Sequence, residues 1–233
     1  MKDEVFAEGL GLNVHIRTKI VGYWSYIKTV AIKIGNDVLE IEGSADSLYD
    51  DKALYWINYA YQGKLENVGG FPVTLKQSAA DERSYTIDFS SKYKGQEICV
   101  QVYKEFVRIK FNGKEDLFGN TVGLLGDYKT GNTYARDGVT DLHDDFVHLG
   151  DQWQVLPFER QLFRKAAHPQ FPELCWKPKD PRGARRRHLA ESSISYGQAE
   201  VACFRVMSDP LSIKDCVNDI LATQDLGMVR AYH

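Results

Sequence analysis

Four cysteines in 233 residues, at positions 99, 175, 203 and 216, are too few for a disulfide-held miniprotein. None belongs to a Cys-x-x-Cys pair, and no histidine stands at ligand spacing from any of them, which argues against structural zinc. No apolar run approaches the roughly 18 residues that a membrane span needs. Charge of one sign is also lacking. Lys plus Arg number 29 and Asp plus Glu 32, a net charge of −3, so the clustered cationic face of a general nucleic-acid binder is not expected. The motifs GxSxG, HExxH, GxxxxGK[ST] and GxGxxG are all missing, and Gly9-Leu10-Gly11 lacks the third glycine of a nucleotide loop. No apolar stretch follows Met1-Lys2-Asp3-Glu4, so no secretory signal is read there.

What is present points to strands. Hydrophobic residues make up 43%, enough for a real core, and thirteen Tyr and eleven Phe against three Met favour sheet, where rings pack well. From Leu12 to about Phe118 apolar residues alternate. Val30, Ile32 and Ile34 are followed by the turn Gly35-Asn36-Asp37 and then Val38, Leu39 and Ile41. Further runs are Tyr85, Ile87 and Phe89; Ile98, Val100 and Val102; and Val107, Ile109 and Phe111. Asn112-Gly113 predicts a hairpin, with Leu117 and Phe118 continuing the meander. The expected fold is mainly β, an antiparallel sandwich over residues 5–155 with one face of each sheet buried, and a small α-helical C-terminal tail. Cys99 falls opposite Ile98, Val100 and Val102 and is expected as a free surface thiol.

Between Gly119 and Val155 the pattern becomes loop. Glycines punctuate it, and Asp127, Asp137, Asp141, Asp144, Asp145 and Asp151 crowd it. Its oxygens could hold calcium, although the spacing is not that of an EF-hand. A hydrolase would draw on Asp144, Asp145, His143 and His148, but adjacent aspartates on one loop point apart and seldom form opposed carboxylates. Cys99, mid-strand and without a basic helix end beside it, is no better as a nucleophile. Turn chemistry alone also explains an Asp- and Gly-rich loop.

Residues 156–192 hold Pro157, Pro169, Pro172, Pro178 and Pro181 and the basic residues Arg182, Arg185, Arg186 and Arg187. They read as a solvated linker that could also bind an anionic surface or be nicked by a protease. Residues 193–233 read as two short helices joined by Ser208-Asp209-Pro210. The first is capped by Ser195 with Gln198, the second by Ser212 with Asp215. Cys203 and Cys216 sit on corresponding faces of these helices. An antiparallel pair would bring them within bridging range, the alternative being two packed core thiols.

The run Gly123-Leu124-Leu125-Gly126-Asp127-Tyr128, with Asp137-Gly138 and the closing Leu149-Gly150-Asp151-Gln152-Trp153, resembles a von Willebrand factor type D domain. That family follows a sheet meander with Gly-Leu-Cys-Gly-Asn-Phe, an acidic loop and Phe-Gly-Asn-Ser-Trp. The tail, with Ala199 to Cys203 and Asp215 to Thr223, is similar to the end of the cysteine-rich helical module that commonly follows such a domain. The family's opening Gly-Asp-Pro-His strand is not found, so the chain is expected to start about two strands into the domain. Leu125 stands where the family has cysteine and is expected to fill a bridge's volume with apolar bulk. The missing framework cysteines weigh against disulfide-linked multimers, and no Asn-x-Ser/Thr acceptor occurs.

The resemblance implies a secreted or extracellular, non-enzymatic adhesion, matrix or protein-binding module, with other proteins or surface glycans as partners. The alternatives are a fragment of a lipid-transfer protein, since type D domains occur in those, and a hydrolase using the Asp-rich loop. It also implies a calcium ligand at Asp127, to which this chain could add the Asn132 amide oxygen and the Gly131 carbonyl. Lys129 opposes them, because a cation stands where the family places a second ligand.

Overall fold

The computed structural model describes residues 2–9, 11–21, 24–43, 54–60, 64–79, 81–113, 118–143, 145–166 and 193–232. Two antiparallel meanders form the body. β1 (Lys2–Gly9), β2 (Leu12–Val21), β3 (Trp24–Ile34), β4 (Asp37–Glu42) and β5 (Tyr55–Ile57) lie in chain order in one five-stranded sheet. β6 (Asn67–Val68), β7 (Phe71–Ala79), β8 (Glu82–Asp88), β9 (Glu97–Tyr103) and β10 (Phe106–Asn112) make the other. Helices α1 (Phe146–Gln152), α2 (Tyr196–Phe204) and α3 (Pro210–Thr223) and a 3₁₀ helix (Leu226–Tyr232) follow. The fold is thus mainly β, two facing antiparallel sheets with a small helical tail.

The alternation sets the register. Val14 pairs with Ile32 and Ile16 with Val30 in the first sheet. Tyr85 pairs with Val100 and Ile87 with Ile98 in the second, and Val107 with Val102. Slipping any strand by one residue would turn its apolar set outward, so the buried face holds the pairing. The two inner faces meet in one core that also takes Phe6, Phe89 and Phe118.

Several expectations change at the local level. β1 precedes the first strand read from the pattern, and β5, β6 and β7 were not read at all. β5 and β6 are three and two residues long, and β7 keeps only Val73 buried, so none shows a sustained alternation. Among the described residues no strand returns from Asn112-Gly113 to pair with β10. β10 is the edge of its sheet, and its partner β9 reaches it through Lys104 and Glu105. Leu117 lies outside the described residues, and Phe118 is not in a strand. It plugs the core edge-on to Phe89 and Phe111, at centroid distances of 6.1 and 5.2 Å. Cys99 is free but half-buried, its Sγ 4.0 Å from the Thr86 hydroxyl, and burial pushes the thiol pKa up.

Both sheets need cover on their outer faces. Residues 156–166, read as linker, instead lie against the first sheet, where Leu162 and Phe163 bury Ala31 and Val38. Just before them, β1 gains backbone bonds at its free edge: the Val5 amide donates to the Trp153 carbonyl and the Val155 amide to that of Asp3. Arg17 on β2 donates to both carboxylate oxygens of Asp3, at 2.6 and 2.8 Å, and to the Lys165 carbonyl at 2.7 Å. Its guanidinium lies 4.3 Å from the centre of the Phe163 ring. Glu40 on β4 accepts from the Arg164 amide, and the Arg164 guanidinium stacks 3.4 Å from the Trp56 ring centre. Beside them His15 is 2% exposed, its ring near Phe163 and its Nδ1 without a hydrogen-bond partner.

The helical tail covers the second sheet. Tyr103, on the outer face of β9, is buried among Ala199, Val217, Ile220 and Met228. Lys104 pairs with Asp225 at 2.6 Å, and Gly227 lies so close to the Tyr103 hydroxyl that a Cβ there would come within 2.1 Å of it. Helix α2 starts with the expected capping box of Ser195 and Gln198. Helix α3 starts three residues earlier than expected: Asp209 is its cap, Pro210 its first residue, and Ser212 donates its amide to Asp209. Proline at the first helical position needs no amide partner, which favours this start over one at Ser212.

Two predictions follow from the covered first sheet. Asp3 and Arg17 form a buried pair, so Asp3→Ala, which strands the guanidinium, lowers stability by about 3–5 kcal/mol. In urea melts the double variant Asp3→Val/Arg17→Met recovers most of that loss, because no charge then remains uncompensated. Burial lowers the His15 pKa from 6.5 to about 4. Between those values the unfolded chain takes a proton that the folded chain refuses. This contribution is therefore complete above pH 6.5 and is lost as pH falls toward 4, up to about 3 kcal/mol. Melts across this window show the slope in the wild type and a shallower one in His15→Leu.

Candidate functional site

The acidic segment folds as consecutive tight turns, and each of its described aspartates accepts a hydrogen bond from a residue two or three positions on. Asp127 Oδ1 accepts from the amide and the hydroxyl of Thr130, at 2.7 and 2.9 Å. Asp137 accepts from the amides of Val139 and Thr140 and from the Thr140 hydroxyl. Asp141 accepts from the His143 amide, and Asp145 caps α1 by accepting from the His148 amide. Asp151 accepts from the Gln154 side chain at 3.2 Å. Asn and Asp side chains favour turns for this reason, since an oxygen two or three residues back replaces a backbone acceptor.

These bonds set the electrostatics. The Thr130 amide is the main cause that holds the Asp127 carboxyl below its ordinary pKa, with smaller help from Lys129. The hydroxyl and amide of Thr140 do the same for Asp137.

The calcium candidates do lie together. The Asp127 amide donates to the Asn132 carbonyl at 2.8 Å, and the Gly131 amide to the Asp127 carbonyl at 2.8 Å. Gly131 has φ +75°, which lets the chain turn back. The side chains, however, are directed to other tasks. Asp127 serves Thr130, and the Asn132 amide nitrogen donates to the Tyr134 hydroxyl at 2.8 Å. Lys129 is exposed and makes no ion pair among the described residues. No cluster of three or more His, Cys, Asp or Glu suited to a metal occurs among the described residues.

The hydrolase candidates do not converge. His143 is exposed beside Asp141, with its Nδ1 3.5 Å from Oδ1. His148 lies on α1, 3.3 Å from the Gln152 amide, and Asp145 is committed to the cap. Asp144 lies outside the described residues.

Cys203 and Cys216 are joined by a disulfide with Cα atoms 6.1 Å apart. It is buried between α2 and α3, and by chain entropy such a loop contributes about 3 kcal/mol. Cys175 and the basic residues Arg182, Arg185, Arg186 and Arg187 lie outside the described residues.

Leu125 does not fill a bridge's volume. It is 51% exposed, because Leu124 takes the inward position and packs against Val5 and Trp153. It is one of several exposed apolar side chains in this stretch and just beyond it. Val139 is 78% exposed, Phe146 68% and Phe158 84%, and the helical tail adds Val201, Phe204 and Leu211. Sequence reading missed these, since apolar residues among turns carry no period. Their one signal was being apolar where turns are otherwise polar.

Asp127→Ala removes two bonds that shape the 127–132 turn and lowers stability by about 1 kcal/mol. Asp127→Asn, which keeps an acceptor, loses less, and denaturant melts of the two variants show the difference.

The chain matches no family model and no curated protein.

Proposed function

We propose that this chain is a non-enzymatic extracellular interaction module of the von Willebrand factor type D kind, binding other proteins or surface glycans through exposed apolar and aromatic side chains. One observation carries the reading. In the acidic segment the described carboxylates are spent on turns, while Leu125, Val139, Phe146 and Val147 face solvent, joined just beyond the segment by Phe158. Chemistry at such a site would need carboxylates free to reach a substrate, and binding needs only the exposed surface. The Cys203–Cys216 disulfide supports an oxidising compartment. The inner faces of the two sheets fill one another, which favours this reading over lipid carriage.

The proposal assigns no catalytic residue and no resident cofactor. Calcium at Asp127, Gly131 and Asn132 is disfavoured by the like charge of Lys129 in the same turn, and by the commitment of Asp127 to Thr130 and of the Asn132 amide to Tyr134. Thermal unfolding in millimolar calcium and in chelator is therefore expected to coincide. An upward shift in calcium that Asp127→Ala abolishes would restore the ion to the reading.

The binding test uses the full chain against immobilised extracellular-matrix proteins and a glycan array. Saturable binding that falls at least tenfold in Phe146→Ser/Phe158→Ser, with an unchanged melting temperature, is the expected result. Lipid recovered after incubation with a lipid extract would overturn it in favour of carriage. Turnover of an ester or glycoside, lost in Asp144→Ala, would overturn it in favour of a hydrolase.

A further inference from the structure

A cleft of about 240 Å³ lies between the start of β3, the edge strand β10 and the helical tail. Its walls are mostly apolar and aromatic, from Phe6, Tyr26, Ile27, Phe106 and Met228. Into it comes Arg108, which stands on β10 facing the tail, its guanidinium 4.0 Å from the centre of the Tyr232 ring. Among the described residues Arg108 makes no hydrogen bond and no ion pair. Half-buried guanidinium groups usually find a carboxylate, because an uncompensated cation in a poorly hydrated site is unfavourable. Burial accordingly pushes the Arg108 pKa down, and Lys110, two residues along the same face, is pushed down by burial and by Arg108 itself.

The nearby acids meet this need only in part: the charges of Asp215 and Asp219 work against burial at Arg108, but neither forms an ion pair with its side chain among the described residues. Asp219 accepts from the Tyr232 hydroxyl at 2.7 Å; burial raises its pKa, and Asp215 adds to that, while the Tyr232 bond and the Arg108 charge work the other way. Its carboxylate is held at the hydroxyl end of the Tyr232 ring, while Arg108 stacks on the ring's face. The guanidinium edge is left available to a bidentate oxygen pair.

We propose that this cleft binds a small aromatic carboxylate, its ring between the apolar walls and its oxygens on Arg108. The charge of Arg108 selects an anion, and the planar fork selects a carboxylate. The volume limits the rest. About 240 Å³ lies just below the usual range of small-molecule pockets, which suits one ring and its carboxylate better than a larger ligand. The rings of Tyr26 and Phe106, 4.5 Å apart, offer an aromatic wall rather than an aliphatic one.

The test is an NMR titration of the full chain with sodium benzoate, with benzamide as its neutral isostere. The expected result is saturable benzoate binding with shifts at Arg108, Phe106 and Tyr232, and benzamide at least tenfold weaker. Arg108→Gln weakens benzoate at least tenfold, and Asp219→Asn, which removes the competing charge, tightens it. Should Arg108→Gln unfold, Ser25→Trp at the solvent-exposed side of the cleft serves instead and also abolishes binding. Absence of saturation up to the solubility of the salt, equal binding of benzamide, or unchanged affinity in both Arg108→Gln and Ser25→Trp would overturn the proposal.

Discussion

A sandwich buries only the faces its two sheets turn toward each other, and everything else in this molecule answers to the two faces left over. In the first sheet the outward side of β2, β3 and β4 carries His15, Arg17, Thr29 and Glu40, all buried. Charged groups there are tolerable because Asp3 on β1 pairs with Arg17 and residues 156–166 bring further partners: the Lys165 carbonyl to Arg17, the Arg164 amide to Glu40, and Phe163 as a lid over Arg17 and His15. The second sheet is covered by the disulfide-linked tail, which docks Gly227 on Tyr103 and Asp225 on Lys104. Each cover brings both apolar area and hydrogen-bond partners, and either alone would leave a polar group stranded.

The same division explains where solvent-facing apolar groups appear. The acidic segment does not cover a sheet face, so its turns are stabilised by their own aspartates. Its inward residues, Ala135, Leu142, Leu149 and Trp153, gather around Val5 in a small satellite core. Once that core is filled, Leu125, Val139, Phe146 and Val147 remain outside. Turn formation and surface display are thus two results of one local economy of side chains. This is why the described carboxylates of the segment make hydrogen bonds within their own turns while its surplus apolar groups face solvent.

Docking of the tail also leaves a gap. The tail buries Tyr103 and Tyr232 against β9 and β10, but at the β10 edge it closes incompletely over Arg108. Arg108 lies opposite Gln101 in the β9–β10 register, an outward position that would be solvated in a bare sheet. The tail takes away much of its water without supplying an ion-pair partner among the described residues.

The alternating runs from Val30 to Phe111 determined the sheet class and most of the inner core, because a period of two is a local property that burial on one face enforces. The capping box at Ser195 and the pairing of Cys203 with Cys216 were legible for a similar reason, since both depend on short spacings along helices. The strands β1, β5, β6 and β7 were not, being short or only partly buried, so their patterns do not stand apart from loop. Only the tertiary structure decided that residues 156–166 are cover rather than linker, that Asn112-Gly113 ends an edge strand, and that Leu125 faces solvent while Leu124 turns in. Each of those outcomes depends on what a segment meets from elsewhere in the chain. Arg17 with Asp3, Phe163 and Lys165 is the plainest case: contacts spanning up to 148 residues along the chain leave no periodic mark on it.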